Sequence, residues 1–332
     1  MVFKIIYSIL AMTLMSCGQT SKPTTTKTTP VVSQAAQTNV SFNADSAYNY
    51  IEKQVSFGPR VPNSAGHRAC GNYLADQLKA FGAKVTAQEM PVTAYNGTVL
   101  QAKNIIGSYN PTAKKRVLLF AHWDTRPYAD MDADPANHKR PIDGADDAGS
   151  GVGVLLEIAR QFGEKAPEVG VDIIFFDAED YGTPDFHTGE HAQNTWCLGS
   201  QFWAKNPHQP GYSANYGILL DMVGSKNAAF FKEQISMHYA PNIVDKVWTK
   251  ARALGYGKYF INAPGGAITD DHQYVNEGRN IPSIDIINYD PDSETGFASS
   301  WHTMDDTMKN INKETLKAVG QTVLEVIYNE KN

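Results

Sequence analysis

The 332-residue sequence predicts an α/β three-layer sandwich with a mostly parallel, mixed-edge central sheet. Three observations predict it. Short, uninterrupted apolar runs at 116–121, 171–176, 217–221 and 283–287 have the length and composition of strands buried on both faces. Amphipathic helical patterns at 151–162, 243–254 and 313–328 lie among them, an alternation that covers a parallel sheet with helices on both sides. Two segments of alternating polarity, 84–92 and 100–109, precede the first buried run and read as half-exposed strands at a mixed edge.

In chain order, Lys4 opens a positive stretch, and 5–15 is an apolar run of signal-peptide length, too short to span a bilayer. It ends at Leu14-Met15-Ser16-Cys17, which resembles the bacterial lipobox and predicts cleavage before Cys17 with lipid on its thiol. Residues 20–38 are rich in Thr, Ser, Pro, Gln and Ala and contain nothing able to build a core. The expected organisation is a signal peptide at 1–16, a flexible tether at 17–42 and one folded domain at 43–332. Helical patterns at 45–56 and 65–81 begin that domain, and Gly82 sits where a helix C-terminus favours glycine. Net charge is −6 with a pI near 5.8 and no basic stripe, which argues against nucleic acid as a partner. Cys70 and Cys197 are left as either a disulfide in an oxidising compartment or two buried thiols.

The polar residues concentrate where the buried runs end. His122 and Asp124 follow the first, Asp221 closes the third, and Asn288, Tyr289 and Asp290 follow the fourth. The second, Phe175-Phe176-Asp177-Ala178-Glu179-Asp180, runs directly into two adjacent carboxylates. Parallel sheets place ligands at this carboxyl edge, and two acids side by side repel unless a cation or a shared proton divides their roles. Gly144-Ala145-Asp146-Asp147 lies just before a helix, so it reaches the same edge. A catalytic zinc takes three ligands from His, Asp, Glu or Cys and keeps a position open, and Asp147, Asp180 and His302 are the candidates.

His122-x-Asp124, Gly144-Ala-Asp-Asp147, Glu179-Asp180, Asp221 and Trp301-His302-Thr303 resemble, in order, the pattern of the zinc-dependent M28 aminopeptidase clan. The resemblance implies a phosphorylase/hydrolase-like fold and two kinds of enzyme. Di-zinc aminopeptidases would hold one zinc on Asp147, Asp180 and His302 and a second on Asp147, His122 and Asp221. Glutaminyl cyclases would hold one zinc per chain and convert N-terminal glutamine of peptides and proteins to pyroglutamate.

Thr269-Asp270-Asp271-His272 resembles the animal cyclases, where the acid matching Asp270 shares a proton with the counterpart of Asp221. Trp301-His302-Thr303-Met304-Asp305-Asp306 resembles their zinc-ligand run, with Trp301 walling a pocket for glutamine. Trp196 reads either as a second pocket wall or as a core residue at a helix start. The implied roles are Glu179 as proton carrier, Asp221 and Asp270 as an acid pair orienting the amine, and Trp301 and Trp196 as substrate contacts. Two positions depart from the animal pattern: Asp180 is a methylene shorter than the usual glutamate, and Asp285 replaces a histidine. An aminopeptidase and a non-catalytic peptide-binding lipoprotein remain the alternatives. The lipobox implies attachment through lipid on Cys17, on an outer membrane facing the periplasm.

Overall fold

The structure is a computed structural model and describes residues 40–190 and 193–332. The signal peptide and most of the tether lie outside the described residues. The elements run α1 (Ala44–Val55), α2 (Ala65–Ala80), β1 (Lys84–Thr93), β2 (Val99–Tyr109), β3 (Arg116–His122), α3 (Gly149–Glu164) and β4 (Gly170–Phe176). They continue as α4 (Leu198–Lys205), β5 (Tyr216–Asp221), β6 (Phe230–Lys232), α5 (Gln234–Tyr239), α6 (Pro241–Ala253), β7 (Phe260–Pro264), α7 (Asp271–Arg279), β8 (Ser283–Ile287) and α8 (Lys313–Tyr328).

The main sheet has the order β1-β2-β4-β3-β5-β8. Pairings β4-β3, β3-β5 and β5-β8 are parallel, while β1-β2 and β2-β4 are antiparallel, giving the mixed edge that the alternating segments predict. Alternate residues of each central strand face opposite layers. Val117, Leu119 and Ala121 of β3 pack in one cluster with Val152 and Leu155 of α3 and Val319 and Val323 of α8. Leu118 and Phe120 point the other way, into a smaller cluster with Trp203 of α4 and Val275 of α7.

Sequence periodicity locates these strands and the longer helices to within about two residues, but not α4, α7 or the short β6-β7 pair. In α7, Asp-His-Gln-Tyr-Val-Asn-Glu-Gly-Arg carries too few apolar residues to mark a helical face. Its start is set by the extended residue Asp270, whose carboxylate accepts the Asp271 N–H. Helix α3 begins at the sheet edge because glycine permits close approach. A Cβ on Gly151 would lie 2.1 Å from the Leu220 carbonyl oxygen of β5.

The packed unit also starts before the expected boundary at 43. Val40 and Phe42 are buried, the Phe42 N–H donates to Gln321 Oε1 (2.8 Å), and the ring fills the space a Cβ on Gly320 would occupy. An apolar pair tucked against a C-terminal helix cannot be told from a tether by composition alone. Phe42→Ala is expected to cost about 3–5 kcal/mol of unfolding free energy, read from urea denaturation. A loss below about 1 kcal/mol would mean that the segment is not part of the core.

Candidate active site

Strands β3, β4 and β5 deliver His122, the 177–180 segment and Asp221 to one edge. Several site residues depart from ordinary backbone. Ala178, Met222 and His302 all have left-handed φ angles of 54°, 47° and 54°, uncommon for residues with a Cβ and typical of sites whose surroundings fix them. Asp177 anchors the turn at Ala178: its carboxylate accepts the N–H groups of Lys103 (2.5 Å) and Ala178 (2.8 Å) and faces His67 Nε2 (2.9 Å). Asp124 then accepts the next two amides, Glu179 N–H at 3.1 Å and Asp180 N–H at 3.2 Å. Thus Asp124 sets the direction in which both acids point.

Asp147 is held in the same manner. The buried Asp306 carboxylate accepts the amides of Asp146 (2.8 Å) and Asp147 (3.1 Å). Asp146 in turn accepts from Gly224 N–H at 2.7 Å and from the Ser225 hydroxyl, tying this turn to the segment after β5. His302 presents Nε2 to Asp180 Oδ1 at 3.2 Å and to Asp147 Oδ2 at 3.6 Å, while its Nδ1 lies 3.6 Å from Asp130. Arg126 fixes Asp130 through Nε (3.0 Å) and Nη2 (2.5 Å), and its Nη1 donates to the carbonyls of Asp180 and Gly182. Burial pushes the Asp130 carboxyl up, but the Arg126 guanidinium outweighs it and holds Asp130 below the usual carboxylate range.

Whether these residues suit a metal is decided by their donors. Asp147, Asp180 and His302 each offer one ligand atom, all within 4.8 Å of one another. Apart from the His302 contact, the two buried Asp180 oxygens have no hydrogen-bond partner, which costs free energy unless a cation takes them. Burial, with repulsion from Asp147, raises the Asp180 carboxyl above its ordinary value, so a positive ion is what the site lacks electrostatically. Two carboxylates and an imidazole are a donor set zinc accepts. His122, Asp147 and Asp221 form a second such group, sharing Asp147. There, His122 Nε2 lies 2.9 Å from Asp147 and 3.2 Å from Asp221, and despite burial the neighbouring Asp124, Asp147 and Asp221 raise its pKa well above the ordinary value. A protonated His122 is itself a cation between two acids.

A cavity of about 460 Å³ opens over this edge, lined by Glu179, Asp221, Asp270, Trp196, Trp301 and His302 among others. Trp301 stacks on the His302 ring at 3.8 Å between centroids, and Trp196 lies parallel to it at 6.1 Å. Trp196 therefore walls the cavity instead of joining the core, with the Arg126 guanidinium 4.4 Å from the centre of its indole.

The expected Asp221–Asp270 pair takes a different form. Asp221 receives its hydrogen bond from His122, while burial, with repulsion from Asp221 next, raises the Asp270 carboxyl to about 7. Asp285 on β8, the position that departs from the histidine pattern, also faces Asp270, and both of its carboxylate oxygens are buried without a hydrogen-bond partner. Burial, with repulsion from Asp270, Asp221 and Glu233, raises Asp285 well above the carboxylate range. Cys70 and Cys197 are free and buried, which excludes the disulfide. Sequence reasoning missed Asp130, Arg126 and Asp177, since single polar residues in loops carry no periodic signal.

The sequence matches peptidase family M28 over residues 104–327. The chain belongs to that family. Its M28 relatives fall into both enzymatic types. A glutaminyl cyclase structure from Tannerella forsythia is 66% identical, with a TM-score of 0.87, covering 88% of this chain and 100% of that one. A structure described as a Zn-dependent exopeptidase from Parabacteroides distasonis is 71% identical, with a TM-score of 0.87 and coverage of 88% and 99%. The glutaminyl-peptide cyclotransferase of Bos taurus is 27% identical over 77% of this chain and 74% of its own length. Membership accounts for the zinc-type donor set; the choice of reaction depends on the residues around it.

Proposed function

We infer that this M28 chain is a glutaminyl-peptide cyclotransferase, converting N-terminal glutamine of peptides and proteins to pyroglutamate with release of ammonia. The observation that carries this reading is the cavity itself. Glu179 and Asp270 face one space walled by the two indoles, with ligand atoms of Glu179, Cys197 and Asp270 within 4.8 Å of one another. Similarity to the Tannerella forsythia cyclase over the whole of that solved chain supports it.

Asp147, Asp180 and His302 would hold one zinc ion per chain in this reading, and the bound ion would supply Lewis acidity toward the glutamine γ-carbonyl. The substrate's own α-amine forms the new C–N bond to the γ-carbon, and the bond to the side-chain nitrogen breaks. Glu179 accepts the proton that the amine loses and delivers it to the departing ammonia. Asp221 and Asp270 receive hydrogen bonds from the amine and orient it. Trp301 and Trp196 enclose the aliphatic part of the side chain. Because nucleophile and electrophile belong to one molecule, orientation supplies much of the rate.

Burial raises the Glu179 carboxyl well above its ordinary value, and Asp270 and Asp180 add to this while His122 opposes it. A base must be deprotonated to work, so kcat is expected to rise with pH through an acid limb lying above the ordinary glutamate pKa of about 4.3. A limb at or below that value would contradict the assignment.

A di-zinc aminopeptidase is the second reading, favoured by the His122, Asp147 and Asp221 group and by the Parabacteroides distasonis exopeptidase. Ammonia release from a glutaminyl substrate without amine release from a leucyl one supports the cyclase, and dominant leucyl cleavage supports the peptidase. Metal analysis separates them again, with one zinc per chain for the first and two for the second. A non-catalytic binding role would leave glutaminyl substrates unchanged. We further propose that lipid on Cys17 anchors the chain to an outer membrane facing the periplasm. No helix among the described residues is long and apolar enough to cross a membrane.

A further inference from the structure

We propose that Cys197 is a positioning residue for the proton carrier Glu179, an inference that rests on the cyclase reading above. Its Sγ lies 3.1 Å from Glu179 Oε1, in hydrogen-bond geometry. Among the described residues this is the only hydrogen bond the Glu179 carboxylate makes, since His122 Nδ1 is 4.0 Å from the other oxygen. A carboxylate facing an open cavity on a three-torsion side chain has several rotamers to choose from. A single donor on Oε1 selects one of them, with Oε2 left 4.0 Å from His122 Nδ1 and without a hydrogen bond.

The backbone is built to place that thiol. Cys197 has a left-handed φ of 57°, and its N–H donates to the Glu179 carbonyl at 2.8 Å. Leu198 N–H donates to the Ala178 carbonyl at 3.0 Å, so the two segments are clipped together by two amides on either side of the side-chain contact. Burial, with the charge of Glu179 next, raises the thiol well above its ordinary pKa, so it keeps the proton it donates. The neighbouring Trp196 walls the same cavity, which joins base and substrate wall in one strap.

Kinetics and infrared spectroscopy test this on the zinc-loaded enzyme, after the wild type has been assayed on a glutaminyl substrate. Cys197→Ala is expected to lower kcat about tenfold, the effect of losing one hydrogen bond to a charged group, with KM and bound zinc unchanged. Cys197→Ser, which restores a donor, recovers most of that loss. In the wild type the S–H stretch that Cys197→Ala removes lies at lower frequency than the same band in Glu179→Gln, because a carboxylate is the stronger acceptor. Unchanged kcat in Cys197→Ala, an equal fall in Cys197→Ser, a rise in KM alone, or an S–H band that ignores Glu179→Gln would each overturn the role. A wild type without cyclisation would instead overturn the proposed function, while the infrared shift still reads the bond.

Discussion

Glu179→Gln is expected to leave zinc bound and lower kcat by about 10²–10⁴-fold, the range that a positioned proton carrier supplies. The amide keeps the size and the acceptor oxygen but cannot take a proton. Zinc is expected to remain because the proposed ligands Asp147, Asp180 and His302 would hold it without Glu179, and because Asp124 fixes position 180 through its backbone amide regardless of the side chain at 179. KM should change little, since the indoles and Asp270 are untouched. Metal analysis beside steady-state kinetics checks this result. Activity within about tenfold of wild type would remove Glu179 from proton transfer, and loss of zinc would make it a ligand.

His302→Ala is expected to release the zinc and abolish activity. The ring supplies the one nitrogen donor of its group, and two carboxylates remaining in a buried site repel each other without it. Its loss should exceed the about 10–100-fold weakening typical of removing a partner that merely orients a ligand. Asp130→Asn provides that comparison, because Asp130 faces His302 Nδ1 and is not among the candidate ligands. Titration against a zinc chelator ranks wild type, Asp130→Asn and His302→Ala in falling affinity. A reversed order would contradict the ligand assignment.

What the sequence reveals about this site depends on the kind of constraint each residue meets. The central strands are legible because burial on both faces demands a continuous apolar run, as in Ile173-Ile174-Phe175-Phe176. Glu179, Asp180 and Asp221 are legible because each sits at or just past the end of such a run. Asp285 is not: it lies inside β8, where a carboxyl looks like an error of polarity until Asp270 is seen beside it. Cys197 is equally silent, since a buried thiol fits any core and only the fold brings it to Glu179. Phe42 shows the same limit at the N-terminal side, where two apolar residues after a polar tract give no periodicity.

The central claim is that the cavity closes a glutamine on itself instead of cutting the chain behind it. Mass spectrometry of one peptide with glutamine at its N-terminus, incubated with the zinc-loaded enzyme, decides between these directly. The account predicts a product that keeps every residue and lacks the mass of one ammonia, formed by the wild type and at least about 100-fold more slowly by Glu179→Gln. Free glutamine and a peptide shortened by one residue would contradict it.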